Sequence, residues 1–150
     1  MKQLLSIAEI KVSYTPKKEC GPPITQSQDA EKIFREFFDH DTIGLQEQFY
    51  AMYLNRANQV IGVYKLSLGG ITGTVVDPRL ILLVALKSAA TGIILAHNHP
   101  SGNLKASQPD INLTEKVKEA ANLMDIKVLD HLILAPKEGA YISFADDGRI

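Results

Sequence analysis

A chain of 150 residues, 45% hydrophobic and 22% charged, can build one domain around a single core. Its formal net charge of −1 supplies no global basic field for nucleic acid. The single cysteine, Cys20, excludes an intramolecular disulfide; no stretch is apolar for long enough to span a bilayer, and Met1–Ile7 lacks the apolar core of a secretory leader, so the cytoplasm is the expected location.

In chain order, Ala8, Ile10, Val12 and Tyr14 alternate with Glu9, Lys11, Ser13 and Thr15, the period of a half-buried strand. Pro16–Pro23 is a turn-rich connector. Residues 1–26 thus read as an N-terminal strand and connector, and residues 27–150 as the main body of one structural domain. Ser27 and Asp29 are candidate caps for a helix through Phe38, with Ala30, Ile33, Phe34, Phe37 and Phe38 as its apolar stripe. Helical spacing gathers these side chains on one face, so core packing explains them better than base stacking. His40 lies just beyond, placed to complement the helix dipole.

Leu45–Leu54 reads as a strand with Glu47, Phe49, Ala51 and Tyr53 on one face and Gln48, Tyr50, Met52 and Leu54 on the other. A glutamate on an apolar face is either an edge residue still in water or a general base beside a metal-bound water. Asn55–Gln59 is a hairpin loop, Val60–Leu68 the returning strand, and Gly69-Gly70 its end. Asp77-Pro78 is a helix start; the helix is expected to reach about Ala90, with Leu80, Leu83, Val84 and Leu86 as its apolar surface. Gly92 is the expected terminator.

The stretch Ile93–Asp110 carries the chemistry. Ile93–Ala96 suits a strand buried on both faces. His97 and His99 follow at i and i+2, so their imidazoles can reach one point. Pro100–Asn103 turns the chain. Ser107 and Asp110 have the spacing of a capping box, and Asp110 could also offer a carboxylate to the point the histidines face. Two imidazoles and a carboxylate form a three-ligand zinc set with an open fourth position, the catalytic pattern.

Past Ser107 a helix, with Pro109 in its first turn, directs Ile111, Val117, Ala121 and Met124 to the core. Ile126–Leu129 and Leu132–Ala135 read as short strands separated by Asp130-His131. Pro136–Gly139 turns the chain, Tyr141–Phe144 is a last strand, and Asp146–Gly148 ends in solvent. The order predicts an α/β domain of the α+β type, helices covering a curved, mostly antiparallel sheet. No Gly-rich phosphate loop supports nucleotide binding.

Glu47 followed by His97-x-His99-x7-Ser107-x-x-Asp110 resembles the JAMM motif of the JAB/MPN metalloprotease fold, cytidine-deaminase-like in outline. His97-Asn98-His99-Pro100-Ser101-Gly102, Asp130-His131-Leu132-Ile133 and Tyr141-Ile142-Ser143-Phe144 resemble its bacterial RadC branch, over roughly Ser27–Ile150. The resemblance implies one zinc ion per chain on His97, His99 and Asp110. It implies Glu47 as the base that takes a proton from water and hands it to the leaving amine, and Ser107 as donor to the water or the oxyanion. It implies a peptide or isopeptide substrate. The chain departs from the branch in two ways. It has only about 26 residues where a helix-hairpin-helix-like region usually precedes the domain, and Ala106 where proline commonly precedes the motif serine. The first departure, with the near-zero charge, weakens the competing expectation of a DNA-repair-associated role. A non-catalytic MPN interaction module is a third reading, against which the retained Glu47 and ligand set argue. His131 is either a partner behind a ligand or a structural strand residue paired with Asp130.

Overall fold

The computed structural model describes residues 6–70 and 75–150; the segment inspected for a leader falls mostly outside them. The sheet is built around β3 (Gly92–Asn98), whose residues are all buried. β1 (Gln48–Leu54) lies antiparallel on one side, with β2 (Val60–Leu68) antiparallel beyond it. β4 (Lys127–Leu134) lies parallel on the other side, with β5 (Tyr141–Ser143) antiparallel at that edge. Three of the four pairings are antiparallel, as expected, giving a mixed sheet in the order β2-β1-β3-β4-β5.

Among the described residues three helices cover both faces. α1 (Ser27–Phe37) packs Ala30 and Phe34 against Tyr50, Met52, Ile94 and Ala96. α2 (Pro78–Lys87) and α3 (Gln108–Asn122) pack Ile81, Ala85, Val117 and Ala121 against the opposite face, with Phe49, Ala51, Ile93 and Leu95. The period-2 alternation in β1 and β3 therefore divides two cores, one on each face of the sheet. α3 is the crossover that the parallel β3–β4 pair requires. No helix among the described residues is long and apolar enough to cross a membrane.

Several expectations are corrected. Residues 8–15 form no strand: Ile10 and Val12 are 88% and 73% exposed, and the connector beyond them touches the sheet through Gly21 N to Val60 O at 2.8 Å and an isolated Pro23–Gln59 bridge. Alternation without a partner edge cannot hold a strand. Glu47 lies one residue before β1 rather than inside it. In α2 the buried residues are Ile81 and Ala85, while Leu83 and Leu86 face outwards. Gly92 does not end that helix. Ala89 turns the chain at φ 53°, and Gly92 begins β3, where a Cβ would meet Leu129 Cδ1 at 3.0 Å. Met124 is exposed rather than in the core.

The two short strands around Asp130-His131 are one continuous strand with both residues buried inside it. Asp130 is satisfied there by the His131 and Ala145 amides and the Ser143 hydroxyl, at 2.7, 3.0 and 2.6 Å. At α1, Asp29 caps by accepting from the Thr25 and Gln26 amides, whereas Ser27 bonds Tyr141 and Asp146. The buried Glu31–Arg35 pair ties α1 to the β4–β5 turn through the carbonyls of Ala135, Lys137 and Ala140.

Candidate metal centre

The end of β3 delivers His97 on the α2–α3 face, and the chain bonds once more to β4 through His99 N and Leu134 O at 2.9 Å. A tight turn follows, closed by Gly102 N to His99 O at 2.9 Å, with Gly102 at φ +80° where an L side chain is strained. The turn brings the Asn103 carbonyl back to His99 Nδ1, 2.7 Å away. Ser107 then caps α3, its hydroxyl oxygen accepting from Asp110 N at 3.2 Å while Asp110 Oδ2 accepts from Ser107 N at 2.9 Å. The capping box and the convergence at the histidines coexist, because Asp110 has two oxygens to share.

His97 Nε2 and His99 Nε2 are 3.1 Å apart, and the Asp110 oxygens lie 3.2 Å from the first and 3.4 Å from the second. These are longer than the roughly 2.7–2.9 Å of a charge-assisted N–H···O bond. They suit donors around an ion instead: tetrahedral zinc with about 2.0–2.1 Å bonds sets nitrogen ligands roughly 3.3 Å apart. His97, His99 and Asp110 form a group whose ligand atoms all fall within 4.8 Å of one another.

Hydrogen-bond accounting gives the same answer. Thr114 Oγ1 donates its one proton to Asp110 O at 2.7 Å, so it must accept from His131 Nδ1 at 2.6 Å. His131 is fully buried, and burial pushes its pKa well below the ordinary value, so the ring is neutral and its Nε2 is an acceptor. That acceptor faces His97 Nδ1 at 2.8 Å, which therefore carries the proton. His97 Nε2 is left to face the Asp110 carboxylate. His99 Nδ1 donates to the Asn103 carbonyl, leaving its Nε2 to face the same carboxylate. Stripped of their Nε2 protons, the two imidazoles would join the Asp110 carboxylate in offering three ligand atoms to one cation. The Asp110 carboxylate raises the His99 pKa against the opposing effect of burial, so a metal would take the place of a proton on its Nε2. Burial would raise Asp110, but its bonds to His97 and His99 outweigh that and hold it far below the carboxylate range.

The model of the RadC-like JAB domain matches residues 24–149. The chain belongs to the RadC-like JAB family. Relatives named UPF0758 protein agree: one from Flavobacterium johnsoniae is 46% identical over 125 residues, covering 83% of this chain and 52% of the relative. One from Porphyromonas gingivalis is 46% identical over 105 residues, 70% and 46% of the two chains, and one from Streptococcus suis is 33% identical over 159 residues, 100% and 64%. The chain spans about half the length of the first two relatives.

Within this RadC-like JAB domain, Glu47 opens on the same cleft as His97 and Asp110, whereas Ser107 stands exposed at the α3 cap. Asn98 is a residue that sequence reasoning missed. It is fully buried between the two histidines, on the opposite face of β3. Its side chain accepts from Gln48 N at 2.6 Å and donates to the Ile43 and Gln46 carbonyls at 2.7 and 2.9 Å. These bonds bracket Glu47 and tie its backbone to the histidine strand. An amide at the end of an otherwise apolar strand was the available signal, since buried polar groups need partners. Thr114 was also missed; it lies four residues from Asp110, on the same face of α3. Phe49 stacks on His97 with centroids 5.4 Å apart, fixing the ring plane.

Proposed function

We propose that this RadC-like JAB domain is a zinc-dependent hydrolase of amide bonds, with His97, His99 and Asp110 as ligands. The observation that carries the reading is the convergence of His97 Nε2 and His99 Nε2, 3.1 Å apart, on the Asp110 carboxylate. Zinc held there would supply a Lewis acid and make hydroxide available near pH 7.

The remaining chemistry falls to the chain. Glu47, at the rim of the cleft, takes the proton from the attacking water and later gives it to the leaving amine. Ser107 accepts from Asp110 N, a bond that does not use its hydroxyl proton, so it can donate to charge developing on the carbonyl oxygen. Asn98 holds the backbone on either side of Glu47, and His131 with Thr114 holds His97 in the tautomer that leaves Nε2 free. The substrate is a peptide or isopeptide.

The test is cleavage of a mixed peptide and isopeptide library by the zinc-loaded chain. Cleavage should stop with chelator and return with zinc, and Glu47→Gln should keep the metal and lose turnover. Hydrolysis unchanged in Glu47→Gln would remove Glu47 as the base.

A further inference from the structure

A cleft of about 220 Å³ opens beside the three converging groups. Glu47, His97 and Asp110 form its polar rim, and Phe49, Val75, Val76, Pro109 and Leu113 form the rest of its wall. Phe49 belongs to the core. Val75 is 93% exposed, Pro109 is exposed, and Val76 and Leu113 are only half-buried. One exposed apolar side chain is ordinary. Several gathered around a single cleft at a polar centre mark surface that a ligand covers.

Size and charge narrow the ligand. Sites that enclose a whole small molecule measure about 300–1,000 Å³. This cleft is smaller, with room for one side chain while the rest of the substrate lies outside. Its described lining contains two carboxylates and no Lys or Arg. Beyond the metal itself, a phosphate or the free carboxylate at a chain end would find no basic side chain in the described lining and would meet the Glu47 carboxylate. We propose that the cleft is a subsite for an uncharged aliphatic side chain flanking the scissile amide of a polypeptide. The substrates are then internal amide links rather than chain ends or nucleic acid. The inference rests on the hydrolase reading and adds a substrate class to it.

Hydroxamates test it without turnover, because the hydroxamate group chelates zinc and its tail samples the cleft. The zinc-loaded chain is titrated calorimetrically with acetohydroxamate, 4-methylpentanohydroxamate and 3-carboxypropanohydroxamate. The branched aliphatic tail should tighten binding about tenfold over acetohydroxamate, and the acidic tail should give no gain. Val75→Asp and Leu113→Ser should each erase most of the aliphatic gain and leave acetohydroxamate binding unchanged. Val75 is exposed, so its replacement leaves the core intact even if Leu113→Ser fails to fold. Equal binding of all three compounds, or a gain that survives Val75→Asp and Leu113→Ser, would overturn the subsite alone. Zinc retained with no hydroxamate bound would overturn the subsite and the hydrolase reading together.

Discussion

The two ends of β3 present opposite pictures. At its start, Thr91 and Gly92 border a cavity of about 570 Å³ with Arg56, Asn58, Asp125 and Lys127. At its finish the cleft is about 220 Å³, yet it is there that two imidazoles and a carboxylate converge. The larger space has charged groups, but among the described residues none of its side chains belongs to a converging ligand set. The smaller one has every nearby ring nitrogen accounted for by a partner or by the centre. Volume is thus a poor guide here, and converging ligand atoms are a good one. The sheet explains the asymmetry: β3 and β4 run parallel, so their carboxyl ends open together beside the N-terminus of α3, the usual place for a site in such sheets.

Substitutions at the two ends should separate by orders of magnitude. The largest effect is expected for His97→Ala and Asp110→Ala, which should abolish zinc retention while circular dichroism shows the fold intact. Next comes Glu47→Gln, with zinc content unchanged and turnover down about 10²–10⁴-fold, read from steady-state rates. His131→Leu should weaken zinc binding about 10–100-fold in a competition titration, with Thr114→Val nearer the lower figure, because each breaks the chain that fixes the His97 tautomer. Normal zinc affinity in both would detach that chain from the metal.

Asn98→Ala leaves the Gln48 amide and two carbonyls without their buried partner. It should cost about 1–3 kcal/mol in denaturant unfolding and slow turnover with zinc content unchanged. The smallest effect belongs to the other end. Arg56→Ala and Lys127→Ala should leave zinc and turnover unchanged and shift stability by no more than about 0.5 kcal/mol. Loss of turnover in either would make the larger cavity part of the site.

Much of this centre is legible in the sequence. His97-x-His99 after a buried apolar run, and Ser107-x-x-Asp110 at a helix start, are local patterns whose geometry follows from periods of 2 and 3.6. The face of β1 that carries Phe49, Ala51 and Tyr53 was legible for the same reason. What stayed hidden depends on which elements meet. The sequence left His131 open between a partner behind a ligand and a strand residue, because its contact with His97 spans 34 residues; Asn98 reaches Gln48 across 50, and no spacing rule applies over either separation. Ala8–Thr15 shows the converse error: its alternation is sound, but no strand edge in the described residues lies alongside to pair with it. The outward Leu83 and Leu86 of α2 were misread because a helix apolar on more than one side does not declare which side is covered.

Metal content tests the central claim most directly. Protein purified without chelator or histidine tag, and dialysed against zinc, is measured by mass spectrometry beside His97→Ala and Asp110→Ala. Near-stoichiometric zinc in the wild type, absent from both folded variants, is the predicted result. Wild-type protein that remains metal-free after dialysis, or variants that retain full zinc, would contradict it.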